Sequence, residues 1–241
     1  MDPLQAWLLV AVGFGAGFVQ RVSGFGLGIF AMMFLPHFLP SHTAAATIST
    51  LFSCVTSTYN AVKYRKSVVY KTALPMLCAA LVSIPLGVYC SVTVSGEFFE
   101  TLLGAVLIVL SLYFLFFAKR IRIRATALGG VLAGAAGGVL NGLFSTGGPP
   151  VVLYLSNAMT DKLAYFATIQ FYFSVTNIYS VGSRVANGIV TGEILLNAVV
   201  GVGGCMLGDT LGKAVFDRLN GEKLKTVIYL GMILSGFLMM I

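Results

Sequence analysis

RVSGFGLG, Arg21 to Gly28, lies inside the first apolar stretch of the chain. Glycine lets a backbone leave helical geometry, and a charge at membrane depth is costly unless it is paired or solvated. The segment therefore reads as a break in an otherwise greasy helix, with a use for positive charge. A second break follows in NGLFSTGGPP, Asn141 to Pro150. There the two prolines remove backbone donors and favour a fresh helix start.

Around these breaks the chain is apolar. Of its 241 residues, 58% are hydrophobic and 10% charged, against about a quarter charged in soluble domains. Charge-free runs recur, among them Val22 to Val62, Thr72 to Gly96 and Ala125 to Thr160, and a span needs about 20 such residues. The runs lack a barrel's alternation, and open sheet edges cannot be satisfied in hydrocarbon, so the expected class is an all-α integral membrane protein. The start, MDPLQAW, carries an aspartate where a signal peptide needs positive charge, so the first apolar segment is expected to stay. Cys54, Cys78, Cys90 and Cys205 have no CxxC spacing and read as small core residues rather than a disulfide or metal set. The net charge of +7 sits in short loops, not on a soluble basic face, which argues against nucleic acid as a partner.

The chain matches itself at an offset of 121 residues: ATIS at Ala46 lies over ATIQ at Ala167, Ser53 over Ser174, Lys63 over Arg184 and Gly87 over Gly208. Two repeats follow, 1–118 and 125–241, joined by a basic linker at 119–124. Each is expected to hold a short broken-helix hairpin and three transmembrane helices. In repeat one these are the hairpin at about 4–39 and helices at about 43–62, 72–92 and 98–118. In repeat two they are the hairpin at about 126–159 and helices at about 163–183, 193–215 and 224–241. An odd number of pieces inverts the second repeat relative to the first. With both termini on the extracytoplasmic side, 13 of the 15 basic residues face the cytoplasm, leaving Arg184 in an outer loop and Arg21 in the break. Each hairpin either crosses as two tilted pieces or enters and returns from one face. A buried arginine and glycines at the turn favour the re-entrant form, with its tip lining a cavity.

The second helical piece of each hairpin points a positive helix end at its tip, so two tips meeting near midplane make an anion site. Its candidate residues are Gln20, Arg21, Ser23, Gly24, Phe25 and Gly26 in the first break, and Asn141, Ser145, Thr146, Gly147 and Gly148 in the second. Arg21 offers a planar fork suited to an oxyanion; equally, it snorkels or closes the hairpin against a carbonyl. Ser23, Ser145 and Thr146 offer hydroxyls to the anion or cap the short helices that follow. Polar stripes follow each hairpin: Thr47, Ser49, Ser53, Thr56 and Asn60, then Thr168, Gln170, Ser174 and Asn177. They line a pathway, with Thr47, Ser49, Gln170 and Ser174 touching substrate, or they glue helices together. Asp209 is expected to pair with Lys213 one turn on, and otherwise to carry a coupling proton. His37 and His42 lack the further ligands of a metal site. No GxxxxGK[ST], GxSxG or HExxH pattern occurs, so neither an enzyme nor a cofactor is expected.

FVQRVSGFGLGIFAMMFLP and GGVLNGLFSTGGPPVVLYL together resemble the paired glycine-rich signatures of the TauE/SafE family, often called sulfite exporters. PLGVYCSVTVSGEFFETLLGAVLIVL and MLGDTLGKAVFDRLNGEKLKTVIYLGMIL are similar to that family's repeat ends. The resemblance covers almost the whole chain. It implies a multi-spanning protein of the bacterial inner membrane that moves small sulfur-containing anions such as sulfite, sulfonates or thiosulfate. The expectation is a secondary transporter with alternating access around the two tips, driven by the substrate gradient or by a coupled proton or sodium ion. A channel of the same fold and a non-transporting assembly subunit are the alternatives.

Overall fold

A computed structural model describes residues 2–93, 96–117 and 126–218. The basic linker and the helix expected at 224–241 lie outside them. Among the described residues the chain is helical throughout, with no strand. α1 is Pro3–Ser23, α2 Leu27–Phe34, α3 His42–Lys63, α4 Tyr70–Thr93, α5 Gly96–Leu112, α6 Ala127–Phe144, α7 Gly148–Ala158, α8 Lys162–Ala186 and α9 Gly192–Arg218. Asp2, Ser41, Thr126 and Asp161 start α1, α3, α6 and α8, each accepting a backbone N–H of the first turn.

Arg21 does not break α1. The helix carries on through it to Ser23, giving 21 residues and about 31 Å of rise, longer than the short piece read from the sequence. The break comes at Gly24 and Gly26, whose φ of 83° and 93° only glycine adopts cheaply. The chain then folds back, so that Phe30 of α2 covers Gly15 of α1. In the second hairpin Ser145 takes the left-handed turn (φ 58°), and Tyr154 of α7 folds over Gly130 of α6.

By length and composition α1, α4, α6 and most of α9 are able to cross a membrane. α3 and α8, with 22 and 25 residues, are as long but far more polar. They pack on each other in the middle, and the apolar helices surround them. The molecule is therefore apolar outside and polar within: Trp7 is 74% and Val82 81% exposed, while Asn60, Gln170 and Arg184 are 0% exposed. This is the distribution a lipid solvent demands.

Packing partners cross between the halves. α1 lies along α9, and α6 along α4; α3 also touches α9, and α8 touches α4. Both long seams are built from glycines spaced by four, which lets backbones approach closely. Gly204, Gly208 and Gly212 sit against the carbonyls of Val10, Phe14 and Phe18, as Gly134, Gly138 and Gly142 sit against those of Met76, Ala80 and Ile84. Gly203, on the other side of α9, faces open space. Gly208→Val is expected to lower stability by about 1–3 kcal/mol or more, and Gly203→Val to leave it nearly unchanged, as read by thermal unfolding of the detergent-purified protein.

Candidate functional site

The two breaks meet. A side chain on Gly28 would collide with the carbonyl of Ser145, and one on Gly148 would come 3.4 Å from the Cβ of Phe25. Between the tips lies a small pocket lined by Gln20, Phe25, Gly26, Asn141, Ser145 and Thr146, among others, with Ser53 of α3 and Phe173 of α8 behind them. Ser53 and Phe173 fall in the middle turns of their helices, so the pocket is at mid-height of the bundle. Its interior is about 20 Å³ for a water-sized sphere, room for about one water molecule.

Polar side chains of α3 and α8 hold the tips in place. Thr56 Oγ1 donates to Gln20 Oε1 (2.8 Å), Gln20 Nε2 to Gln170 Oε1 (3.0 Å), and Gln170 Nε2 to the carbonyl of Gly24 (3.1 Å). On the other tip Asn141 Nδ2 donates to Asn177 Oδ1, and Asn177 Nδ2 to Ser53 Oγ, each at 2.8 Å. Gln20 and Asn141 are equivalent at the offset of 121, and so are Thr56 and Asn177. The same kind of latch is thus built twice.

Three buried polar atoms at the pocket have no partner: Asn141 Oδ1, Ser145 Oγ and Thr146 Oγ1. Buried polar atoms without partners are uncommon and point to a ligand or water. The backbone adds donors unequally. The first helical bond of α2 is Phe30 N–H to Gly26 C=O, which leaves the Leu27, Gly28 and Ile29 amides at the helix start. In α7, Pro149 and Pro150 have no N–H, so that tip keeps fewer helix-start amides than the first and adds the hydroxyls of Ser145 and Thr146.

Not every expected residue reaches the pocket. Ser23 closes its own turn, donating to the carbonyls of Val19 (2.7 Å) and Phe25. Ser174 shares a hydrogen bond with Thr58 (2.9 Å), and Ser49, though buried, does not line the pocket. Arg21 is 2% exposed, but its guanidinium points away from the pocket. It donates to Asn60 Oδ1 (2.7 Å) and Tyr64 Oη (2.6 Å), and it stacks 4.8 Å from the ring centre of Phe166.

Two expectations are corrected here. Asp209 of α9 is buried, and it accepts from Asn60 Nδ2 of α3 at 2.8 Å, while Lys213 is exposed. Asn60 therefore bridges the Arg21 cation and the Asp209 carboxylate. Arg184 is not in an outer loop, because α8 continues to Ala186; it is fully buried and donates to Thr47 Oγ1 (3.1 Å) and to the carbonyl of Gly142 (2.6 Å). Its place beside the second tip was missed because the signal is tertiary. Only the pairing of Lys63 with Arg184 at the offset of 121 hints that a cation recurs at the end of this helix. His42 stacks on Phe99 at the far end of α3, with centroids 5.7 Å apart.

A bundle with a polar, half-satisfied centre between two broken helices has the form of a membrane transport protein. The family profile described as Sulfite exporter TauE/SafE matches residues 9–239, and the chain belongs to that transporter family. Searches of the curated proteins and of the solved structures return no match.

Asn60 is the hinge of the Arg21 cluster. Asn60→Leu is expected to leave both charges short of a hydrogen bond and to lower stability by about 1–3 kcal/mol or more, read by thermal unfolding, without changing the side chains that line the pocket.

Proposed function

We propose that the protein is a secondary transporter of a small sulfur-containing oxyanion, such as sulfite, a sulfonate or thiosulfate. The substrate binds between the tips, on the amides of Leu27, Gly28 and Ile29 and the side chains of Gln20, Asn141, Ser145 and Thr146. One observation carries the reading: three buried, unpartnered polar groups converge on a junction of two helix breaks at mid-height. Hydroxyl and amide donors bind an oxyanion well where water is excluded, and Asn141 can turn its amide to donate. In this arrangement Arg21 contributes its field from behind Gln20 rather than a direct contact.

The exchange of partners supports an inverted two-fold relation between the halves. α1 with α9 mirrors α6 with α4, and Gln20 with Thr56 mirrors Asn141 with Asn177. Clustered cations support the expected orientation in a bacterial inner membrane, with the termini outside. Lys63, Arg65, Lys66 and Lys71 stand at the end of the bundle where Val69 N–H meets Thr168, near the start of α8. The pocket is too small for an oxyanion, so transport parts the tips, first toward one face and then the other. The glycine seams imply that the moving bodies are α1 and α2 with α9, and α6 and α7 with α4. A motion of whole repeats against one another would tear both seams. The substrate gradient or a coupled proton or sodium ion supplies the energy.

The test is counterflow in proteoliposomes with sulfite, thiosulfate, sulfoacetate and taurine. Saturable uptake accelerated by substrate on the opposite side is expected for at least one. Flux without such acceleration favours a channel, and no flux with any of them overturns the reading. Ser145→Ala combined with Thr146→Val is expected to weaken binding of the transported anion at least about tenfold, through loss of hydrogen bonds to a charged group.

A further inference from the structure

The first tip has an arginine of its own, and the second has Gly142 at that position. The structure fills the gap from another helix. Arg184 of α8 reaches the carbonyl of Gly142, the neighbour of Asn141 in the last turn of α6. Seen along α3, Arg184 meets Thr47, the pocket holds Ser53, and Arg21 meets Asn60. The two guanidiniums therefore stand on opposite sides of the pocket, six and seven residues along α3 from Ser53, or about 9 and 10 Å at 1.5 Å per residue.

They differ in what balances them. Arg21 is linked through Asn60 to the Asp209 carboxylate. Arg184 is 0% exposed, its two partners are both neutral, and its Nε has no partner. Among the described residues no carboxylate pairs with it. A cation held at depth without a counter-charge is costly, and a neutral amide would satisfy a hydroxyl and a carbonyl equally well. Ser180, one turn earlier on the same face of α8, is also fully buried, with its hydroxyl unpartnered. An anion would complete both groups.

Resting on the transport reading above, we propose that Arg184 is a second binding position for the anion, between the central pocket and the end of the bundle marked by Thr47. When the second hairpin moves, the guanidinium releases the Gly142 carbonyl and takes two oxygens of the anion with its fork, and Ser180 donates a third hydrogen bond. The two halves then present a guanidinium on each side of the pocket, although their sequences place it on different helices. In the resting arrangement the bond to Gly142 holds the position closed.

The test measures sulfite binding by calorimetry, together with thermal stability, on the full chain in lipid nanodiscs. Arg184→Gln is expected to weaken sulfite binding at least about tenfold. Arg184→Lys keeps the charge but loses the fork, and is expected to weaken it several-fold; it carries the comparison if the glutamine variant does not fold. A merely structural arginine would lower the unfolding temperature and leave the sulfite affinity of the folded protein unchanged. Sulfite affinity equal to wild type in either folded variant therefore overturns the proposal while the transport reading stands. Where the wild-type protein binds thiosulfate, sulfoacetate or taurine rather than sulfite, the same comparison is made with that anion and read in the same way; absence of binding to all four overturns both.

Discussion

Everything in this molecule depends on burying two polar helices inside an apolar shell. α3 and α8 carry Thr56, Asn60, Gln170, Asn177 and Arg184 into the buried interior, where each unmet polar group is expensive. They are tolerated because they satisfy each other and the carbonyls exposed where the two hairpins turn. The breaks need α3 and α8 to absorb their open backbone, and α3 and α8 need the breaks to absorb their side chains. Neither half of that exchange is stable alone, which ties the fold and the candidate site to one set of hydrogen bonds.

Much of this was legible in the sequence, and the physical reasons separate what was from what was not. The two breaks could be read because glycine and proline act locally, and Gly24, Gly26, Pro149 and Pro150 stand where helices end or begin. Gln20 and Asn141 stand at the two breaks in the sequence, and in the fold each latches its own tip. The length of α1 was not readable, because what lets Arg21 stay in a helix is Asn60 and Tyr64, residues of another helix. For the same reason Asp209 looked like a partner for Lys213 and Arg184 looked like a loop residue. A charged side chain in a membrane protein is explained by what faces it, and a single sequence does not show what faces what.

The two tips are alike in construction and different in chemistry. α2 begins with three uncapped amides, whereas α7 begins at Gly148, loses two donors to Pro149 and Pro150, and has the hydroxyls of Ser145 and Thr146 beside it. A pocket built from two identical ends would present the same pattern of donors twice. Here one wall has rigid donors fixed by a helix, and the other has hydroxyl rotors that can turn between donating and accepting. A solute whose two ends differ would meet different donors in its two orientations.

The pairing of α1 with α9 also bears on how the chain is made. Gly13 and Gly17 of α1 pack on the backbone of Gly201 and Cys205, and α9 begins only at Gly192. At ordinary rates of synthesis the first helix waits on the order of ten seconds before its partner leaves the ribosome. During that interval its glycine face lacks the partner it packs on in the finished fold. α1 is therefore made well before the helix that locks its glycine face in place.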